Sequence, residues 1–461
     1  MTTSFIGARL GKAARPVHGH AMLRLLVFGS LWLLAIAGCA LAAIYFAAKA
    51  VLAPLPGEWS IPLRLVGPVQ LQAGVPSLIR LATASWVGPV LQGRSIGTRS
   101  GMLHFGWQDA THTLAVRCTP CNLRTGALGG DTVTLDEVRL TVRRDGGSIA
   151  GELGAGGLRA FWRGELAPDK LRLRIEVPLT SIADGYALIH AAIPELAQAR
   201  IEGRFGFTAQ LSLPNGSLSI APRVEGFQVS GLGTEALVAA RSACDPGRDA
   251  RTGRAVKRVS RLTADSWLAR AVVAAEDQRF FEHPGFDLLE LAAAVTRNQA
   301  QLGLASVNDP ADRSLRGAST LSQQLAKLLL TGSERSSVRK VRELLYAVEM
   351  EQTLGKPRIL QLYLAHAPWG PGGCGAEAAA GHYFGRRAHD LTPVQAAWLA
   401  AMLHNPELEA ARWVESGQIN RARTAAVIMG MHALPRRQRL LLVESLGDVR
   451  WPPPGQKSSI N

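Results

Sequence analysis

The chain has 461 residues, of which 47% are hydrophobic and 19% are charged, and this composition excludes a mostly disordered protein. Lysine and arginine number 51 against 36 aspartate and glutamate residues, a formal net charge of +15 that favours anionic partners such as nucleic acid, acidic lipids or a phosphorylated substrate. Five cysteines are too few for a disulfide scaffold in a chain of this length. We expect an α+β multidomain protein.

The first feature along the chain is an apolar stretch at residues 25–48 that contains no charged residue. A helix over this stretch is long enough to span about 30 Å of hydrocarbon. The preceding leader, residues 1–24, carries four cations: Arg9, Lys12, Arg15 and Arg24. The positive-inside tendency therefore predicts a cytoplasmic leader, a single transmembrane helix in the inner membrane, and a periplasmic location for the bulk of the chain.

A lipoprotein signal is the alternative interpretation of this stretch. The residues Ile36-Ala37-Gly38-Cys39 resemble a lipoprotein cleavage box, which would make Cys39 a lipidated N-terminus. Because the apolar stretch continues well past Cys39 and the basic leader is long, we favour an uncleaved anchor.

Within residues 57–238, hydrophobic residues recur at every second position in several segments. Leu171 to Val177 strictly alternate apolar and charged residues, which is typical of half-buried antiparallel strands. Turn-forming residues separate several such segments. We predict a β-rich extracytoplasmic domain, interrupted by one helix near residues 182–196, that serves as a spacer or in protein–protein contact.

Cys118 and Cys121 form a C-x-x-C motif in this region. In a thioredoxin-like context that spacing supports redox chemistry, but here the motif follows a strand-like segment instead of opening a helix. We interpret the pair as a local disulfide or as two unreactive thiols. A zinc site would need two further ligands, and the neighbouring sequence supplies none.

Residues 239–261 are polar and basic, which is typical of a linker, and the pattern then becomes helical. Glu276 and Asp277 stand at the end of an apolar helix. Desolvation there raises the pKa of the first carboxylate toward the range that a general acid or base needs near neutral pH. A capped surface helix accounts for the pair equally well.

A second block occupies residues 317–327. Ser319 or Thr320 is expected to cap a helix in this block, and Gln324 and Lys327 fall on one face of it. An amide beside a point charge suits a sugar phosphate. An ordinary capped amphipathic helix has the same pattern.

A third block contains Arg339, Lys340 and Arg342 around Glu343. Arg339 and Glu343 are four residues apart, so they fit a surface ion pair on a helix. Three cations in four residues also fit a clamp for a diphosphate.

Together and in this order, the three blocks resemble the peptidoglycan glycosyltransferases of glycosyltransferase family 51, which include the monofunctional transglycosylases and the polymerase domain of class A penicillin-binding proteins. The resemblance covers residues 262–432 and leaves residues 433–461 as a C-terminal tail. The matching residues are Glu276, Asp277, Phe280, His283 and Gly285 in the first motif, Gly317, Ser319, Thr320, Gln323, Gln324 and Lys327 in the second, and Arg339, Lys340 and Glu343 in the third.

The resemblance implies a mostly α-helical, lysozyme-like fold and an inverting hexosyltransferase that polymerises lipid II into β-1,4 glycan strands with release of undecaprenyl diphosphate. It assigns Glu276 as the general base and Glu343 as the second catalytic carboxylate. The residues that it assigns to substrate binding or its support are Asp277, His283, Ser319, Thr320, Gln323, Gln324, Lys327, Arg339 and Lys340.

The same resemblance implies the partners. These are lipid II, the growing glycan strand, the inner membrane and, through the β-rich domain, other cell-wall synthesis proteins. No protein-held metal site is expected, although Mg²⁺ or Mn²⁺ can bind through the substrate diphosphate. Nucleic acid is not an expected partner, because it explains the charge but neither the apolar stretch nor the ordered motifs.

The chain departs from the family pattern at Gln361, Ala365 and Gln395, where Glu, Asn and Glu are usual. These changes favour, weakly, a scaffold of low or no activity that binds lipid II or glycan. A muramidase that cleaves glycan is a further alternative, but the cationic third block favours a diphosphate leaving group. The chain contains no Lys-Thr-Gly motif, so no transpeptidase activity is expected.

Two local features complete the expectations. Residues 298–316 contain Gly, Asn, Asp and Pro and are predicted to form a flexible loop beside the active site. Cys244 and Cys374 are candidates for a disulfide that ties the linker to the helical domain outside the cytoplasm.

Overall fold

The structure is a computed structural model that describes residues 53–64, 70–124, 132–190, 193–214, 216–239, 262–297, 318–332, 337–372 and 375–449, with a few isolated positions between residues 36 and 50. Among these residues, no helix has the length and apolar character needed to cross a membrane. The predicted transmembrane helix at residues 25–48 lies almost wholly outside the described residues, as does the linker. The loop at residues 298–316 and the pair Cys244 and Cys374 lie entirely outside them.

The chain forms two compact units, one of residues 1–82 with 167–170 and the other of residues 83–166 with 171–461. In the first unit, β1 (Ser60–Arg64) pairs antiparallel with β2 (Gln70–Gly74), and α1 (Val75–Ala82) follows. Glu58 accepts hydrogen bonds from Ser77 Oγ and from Arg80, each at 2.7 Å. These bonds join the residues before β1 to the helix.

A nine-stranded antiparallel sheet forms the first half of the second unit. Its strand order is β13-β12-β11-β10-β9-β8-β5-β4-β3, a meander that skips only the separate hairpin of β6 and β7. The strands are β3 (Ser95–Thr98), β4 (Gly101–Gln108), β5 (Thr113–Thr119), β6 (Cys121–Arg124), β7 (Thr132–Leu135), β8 (Val138–Asp145), β9 (Ser148–Ala155), β10 (Leu158–Leu166), β11 (Leu171–Ser181), β12 (Arg200–Leu213) and β13 (Ser217–Ser230). The short helix α2 (Gly88–Leu91) packs on β4. The β-rich region that the alternating pattern predicts is confirmed.

Three local features match the sequence pattern. Along β11 the arginines are exposed while the intervening apolar residues are half-buried or buried, because successive side chains of a strand point to opposite faces. The predicted helical interruption is present as α3 (Ile182–Ala187) and a 3₁₀ turn (Pro194–Ala197). Cys118 and Cys121 form a disulfide with Cα atoms 5.2 Å apart, which confirms one of the two interpretations of that motif.

The rest of the second unit is helical. Its helices are α4 (Trp267–Glu276), α5 (Leu288–Arg297), α6 (Leu321–Ala326), α7 (Ser337–Thr353), α8 (Gly355–His366), α9 (Ala376–Phe384), α10 (Pro393–Met402), α11 (Pro406–Ser416), α12 (Arg421–Gly430) and α13 (Arg436–Ser445). A large sheet followed by many helices confirms the α+β class. Helix α13 lies in the segment expected to be a tail, and Leu434 and Leu446 on either side of it are buried in the helical core.

Side-chain caps fix the starts of several helices. Ser266 accepts a hydrogen bond from the Ala269 N–H at the start of α4. Thr392 and Gln395 form a capping box at α10, in which each side chain bonds to the other residue's backbone N–H. Because glutamate and glutamine serve equally at the third position of such a box, Gln395 preserves the cap despite its departure from the family pattern.

An aromatic cluster forms the centre of the helical core. Trp369, Trp398 and Trp413 are each exposed by 1% or less, and the Trp398 and Trp413 ring centroids lie 5.3 and 5.1 Å from that of Tyr383. The Tyr383 hydroxyl donates to the Trp369 carbonyl at 2.7 Å, and the Trp369 indole N–H donates to the Leu399 carbonyl at 3.0 Å. The polar atoms of these two buried rings therefore have partners.

Replacing Trp398 with alanine is expected to lower the free energy of unfolding by about 3–5 kcal/mol, because the cavity left in a packed core is only partly refilled. The measurement is denaturant unfolding of the full chain. Trp86→Ala is the control, since Trp86 is 69% exposed and its loss should change stability by less than about 0.5 kcal/mol. Similar losses in the two variants would contradict the assignment of the core.

Candidate functional site

Glu276 is the last residue of α4, and its side chain is only 13% exposed. Its Oε2 accepts a hydrogen bond from Gln324 Nε2 at 3.1 Å. Its Oε1 is buried without a hydrogen-bond donor among the described residues, and a guanidinium nitrogen of Arg423 lies 3.7 Å from it. One carboxylate oxygen therefore has a hydrogen-bond donor, whereas the other is buried with the Arg423 cation near it.

Burial raises the pKa of Glu276 above its ordinary value, and the neighbouring charge of Asp277 adds to the effect. The hydrogen bond from Gln324 and the nearby Arg423 and His404 oppose this shift without cancelling it. A carboxylate with a raised pKa is a stronger base than an exposed one.

Tyr363 on α8 orients the amide of Gln324. The Tyr363 hydroxyl donates to Gln324 Oε1 at 2.9 Å, which leaves the amide nitrogen directed at Glu276. Burial raises the pKa of Tyr363 well above its ordinary value, so its hydroxyl stays protonated and remains a donor. Sequence analysis assigned no role to Tyr363. It assigned none to Arg423, for which no local signal exists.

Asp277 and His283 are buried beside Glu276 and bind each other. His283 Nε2 lies 3.0 Å from both carboxylate oxygens of Asp277. The Gly285 N–H donates to His283 Nδ1 at 3.2 Å, which assigns the ring proton to Nε2. Asp277 also accepts a hydrogen bond from the Leu321 N–H at 2.9 Å, so it joins the end of α4 to the start of α6.

Thr320 and Gln323 fix the start of α6. They form a capping box, and the Thr320 hydroxyl also donates to the Gly285 carbonyl at 2.7 Å. Thr320 is 2% exposed. Both residues therefore hold the backbone from which Ser319 and Gln324 project.

Arg339, Lys340 and Glu343 form a compact charged cluster on α7. Glu343 is fully buried and accepts hydrogen bonds from Arg339 and from Lys340 Nζ, the latter at 2.7 Å. Lys340 Nζ also donates to Ser319 Oγ at 2.5 Å. Partial burial, together with repulsion from Arg339 and Lys327, lowers the pKa of Lys340 to about 8. With two cations on one carboxylate, the cluster carries excess positive charge, and the nearby charge of Lys327 adds to it.

Helix α6 joins the carboxylate to this charged cluster. Gln324 reaches Glu276 from one side of the helix, and Ser319, just before the helix, reaches Lys340. Ser319 and Gln324 are five residues apart, so at about 1.5 Å per residue these two contacts are about 7–8 Å apart along the axis. The arrangement is suited to accept a proton at one point and to bind an anionic group at another.

The charged cluster suits an anion better than a directly bound metal ion. Both oxygens of Glu343 already accept hydrogen bonds from cations. Within the described ranges, no group of three or more His, Cys, Asp or Glu side chains has an arrangement fit for a metal ion. Binding of Mg²⁺ or Mn²⁺ through a substrate diphosphate stays a prediction.

Comparisons with known proteins match the helical region that carries these residues. The model of the transglycosylase family matches residues 250–432. Over 139 residues, the chain is 46% identical to a protein named biosynthetic peptidoglycan transglycosylase from Nitrosomonas eutropha, covering 30% of this chain and 53% of that protein. A relative of the same name from Aeromonas hydrophila is 48% identical over 139 residues, covering 30% and 54% of the two chains.

A third relative is more fully covered. The biosynthetic peptidoglycan transglycosylase of Thiobacillus denitrificans is 41% identical over 174 residues, which are 37% of this chain and 68% of that protein. The chain spans about half the length of the first two relatives. The chain belongs to the peptidoglycan transglycosylase family, as its three motifs predicted.

Replacing His283 with alanine is expected to lower the free energy of unfolding by about 1–3 kcal/mol, because the buried Asp277 carboxylate loses its main side-chain donor. Thermal or denaturant unfolding of the full chain measures this loss. His389→Ala is the matched control, since the His389 side chain is 58% exposed. If the two variants were equally stable, the structural role of the Asp277–His283 pair would be wrong.

Proposed function

We propose that this protein is a membrane-anchored peptidoglycan glycosyltransferase that polymerises lipid II into β-1,4 glycan strands, releases undecaprenyl diphosphate and has no transpeptidase activity. The observation that carries the proposal is the environment of the Glu276 carboxylate. It is nearly buried, and one of its oxygens has no hydrogen-bond donor among the described residues. Helix α6 separates it from the charged cluster of Arg339, Lys340 and Glu343.

The first half of the reaction takes place at Glu276. Its Oε1 accepts the proton of the acceptor sugar's 4-hydroxyl as that oxygen forms a bond to the anomeric carbon of the donor strand. Gln324 holds Oε2 and so keeps Oε1 directed at the incoming hydroxyl. The raised pKa of Glu276 strengthens it as the base for this step.

The second half takes place at the charged cluster. The bond between the anomeric carbon and the diphosphate oxygen breaks, and its electron pair leaves with undecaprenyl diphosphate. Lys327, Arg339 and Lys340 neutralise the negative charge that grows on this leaving group. Attack from the face opposite the leaving group inverts the anomeric centre and produces the β linkage. Ser319 and Gln324 are positioned to bind donor sugar or phosphate, and Asp277, His283, Thr320 and Gln323 support them.

The proposed membrane location rests on the apolar stretch at residues 25–48 and the basic leader before it. A lipid-linked substrate requires apolar surface near the site. Leu289 and Leu291 on α5 are 65% and 48% exposed, and Phe281, five residues after Glu276, is 56% exposed. We assign lipid II, the growing strand and the inner membrane as partners, with other cell-wall synthesis proteins at the β-rich region.

Glu276→Gln is the direct test, because it keeps the side chain's shape and removes the base. Polymerisation of labelled lipid II by the detergent-purified protein should fall by at least about 100-fold, in line with the loss of a general base. Glu282→Gln is the matched control, since that side chain is 66% exposed. Equal activity of Glu276→Gln and wild type would refute the base. Absence of product from wild type, with lipid II still bound, would favour a scaffold.

The pH dependence of kcat/KM should be bell-shaped. On the acid side, protonation of Glu276 removes the base, so the rate falls as pH drops through a pKa that burial raises above 4.5. On the alkaline side, Lys340 loses its charge above its pKa of about 8, so the rate falls again. Lys340→Arg keeps its charge and should shift the alkaline limb upward by about one pH unit or more. An unchanged alkaline limb in that variant would exclude Lys340 as its source.

A further inference from the structure

Helix α7 has two functional faces. At about 100° per residue, Arg339, Lys340 and Glu343 occupy one side of the helix. Val338, Val341, Leu344, Leu345 and Val348 lie largely on the other side. That second side packs on one end of the β-rich region, where it meets Ile182, Tyr186, Ile193 and Val229 in a single apolar cluster. The helix that carries the charged cluster is therefore also the helix on which the β-rich region is docked.

A partly buried ion pair crosses this contact near the charged cluster. Glu195, in the 3₁₀ turn before β12, is 6% exposed. It accepts a hydrogen bond from Arg342 Nε at 2.7 Å and one from the Tyr346 hydroxyl at 3.4 Å. Arg342 lies between Lys340 and Glu343 in sequence, so the pair fixes the helical turn that forms the charged cluster.

A second buried carboxylate fastens the far end of the helix. Glu349 is 2% exposed, and its two oxygens accept hydrogen bonds from the Leu232 N–H at 2.8 Å and the Thr234 N–H at 3.3 Å. The Thr234 and Thr353 hydroxyls are 2.8 Å apart. Buried carboxylates are stable only when donors surround them, so these contacts specify one orientation of α7 against the chain that follows β13.

We propose that the β-rich region is a positioning domain for α7, and that Glu195 and Glu349 are positioning residues that set the location of Arg339 and Lys340. The helix spans 17 residues, so it transmits an orientation fixed at residues 342–353 to its first two turns. Displacing a charged group by about 1 Å from a developing anion is costly in rate. This inference rests on the proposed function for its catalytic consequence, but the coupling itself is independent of activity.

Hydrogen exchange of the full-length protein, followed by mass spectrometry, tests the coupling directly. In Glu195→Ala, amides of residues 339–344 should exchange on the order of 10-fold faster, because local opening of the first turns becomes easier. Amides of α4 should be unchanged. Glu176→Ala is the control, since Glu176 is an exposed residue of β11. Unchanged exchange at residues 339–344 would overturn the proposal, whether or not the protein polymerises lipid II.

Two further variants separate positioning from general loss of stability. Glu195→Gln keeps a hydrogen-bond acceptor for Arg342 and should retain most of the protection of residues 339–344 from hydrogen exchange. It therefore gives a folded variant for comparison if Glu195→Ala fails to fold. In Glu195→Ala and Glu349→Ala, kcat per folded molecule should fall about 3- to 10-fold while KM for lipid II changes less, since the displaced cations stabilise charge that grows on the leaving group in the transition state. A lower folded fraction with unchanged kcat per folded molecule would assign both residues to stability alone and contradict the positioning role.

Discussion

The position of helix α6 is the constraint on which the site depends. Its capping box and the bond from the Leu321 N–H to Asp277 fix the start of this helix, whose six residues continue into a π-helical segment at Lys327–Thr331. That helix places Gln324 on Glu276 and Ser319 on Lys340. A short helix has little stability of its own, so tertiary contacts must hold it. The buried core around Leu321 and Leu325 supplies those contacts. The packing of this core therefore sets the distance between Glu276 and the charged cluster.

Two carboxylates in this site have different environments and hence different tasks. Glu276 has a neutral amide as its hydrogen-bond donor, and burial raises its pKa. Glu343 is more deeply buried but has two cations as donors, so its charge is compensated there. Pairs of titratable groups whose surroundings differ in this way divide proton transfer from charge stabilisation. The excess of cations beside Glu343 leaves positive charge for an anionic group.

Local sequence patterns predicted the residues of this site better than the residues that hold them in position. The motifs placed Glu276, Gln324, Lys340 and Glu343 in the site, and Thr320-x-x-Gln323 has the spacing of a capping box. Tyr363 and Arg423 reach the site only through tertiary packing, so spacing along the chain carries no signal for them. The hydrogen bond from Arg342 to Glu195 joins residues 147 apart in sequence. Hydrophobic periodicity and secondary-structure propensity are local properties, so they cannot predict a contact of this kind. The alternation of apolar and polar residues predicted the strands. The order of the strands in the sheet was known only from the structure.

We propose that this site transfers sugar to sugar and does not cleave glycan. The most direct measurement incubates the purified protein with lipid II and, separately, with finished glycan strands, and counts reducing ends and strand lengths. Sugar transfer predicts longer strands with release of undecaprenyl diphosphate from lipid II, and no new reducing ends from finished strands. Shortened strands with new reducing ends would show that water is the acceptor, and would contradict the assignment of the charged cluster to a diphosphate leaving group.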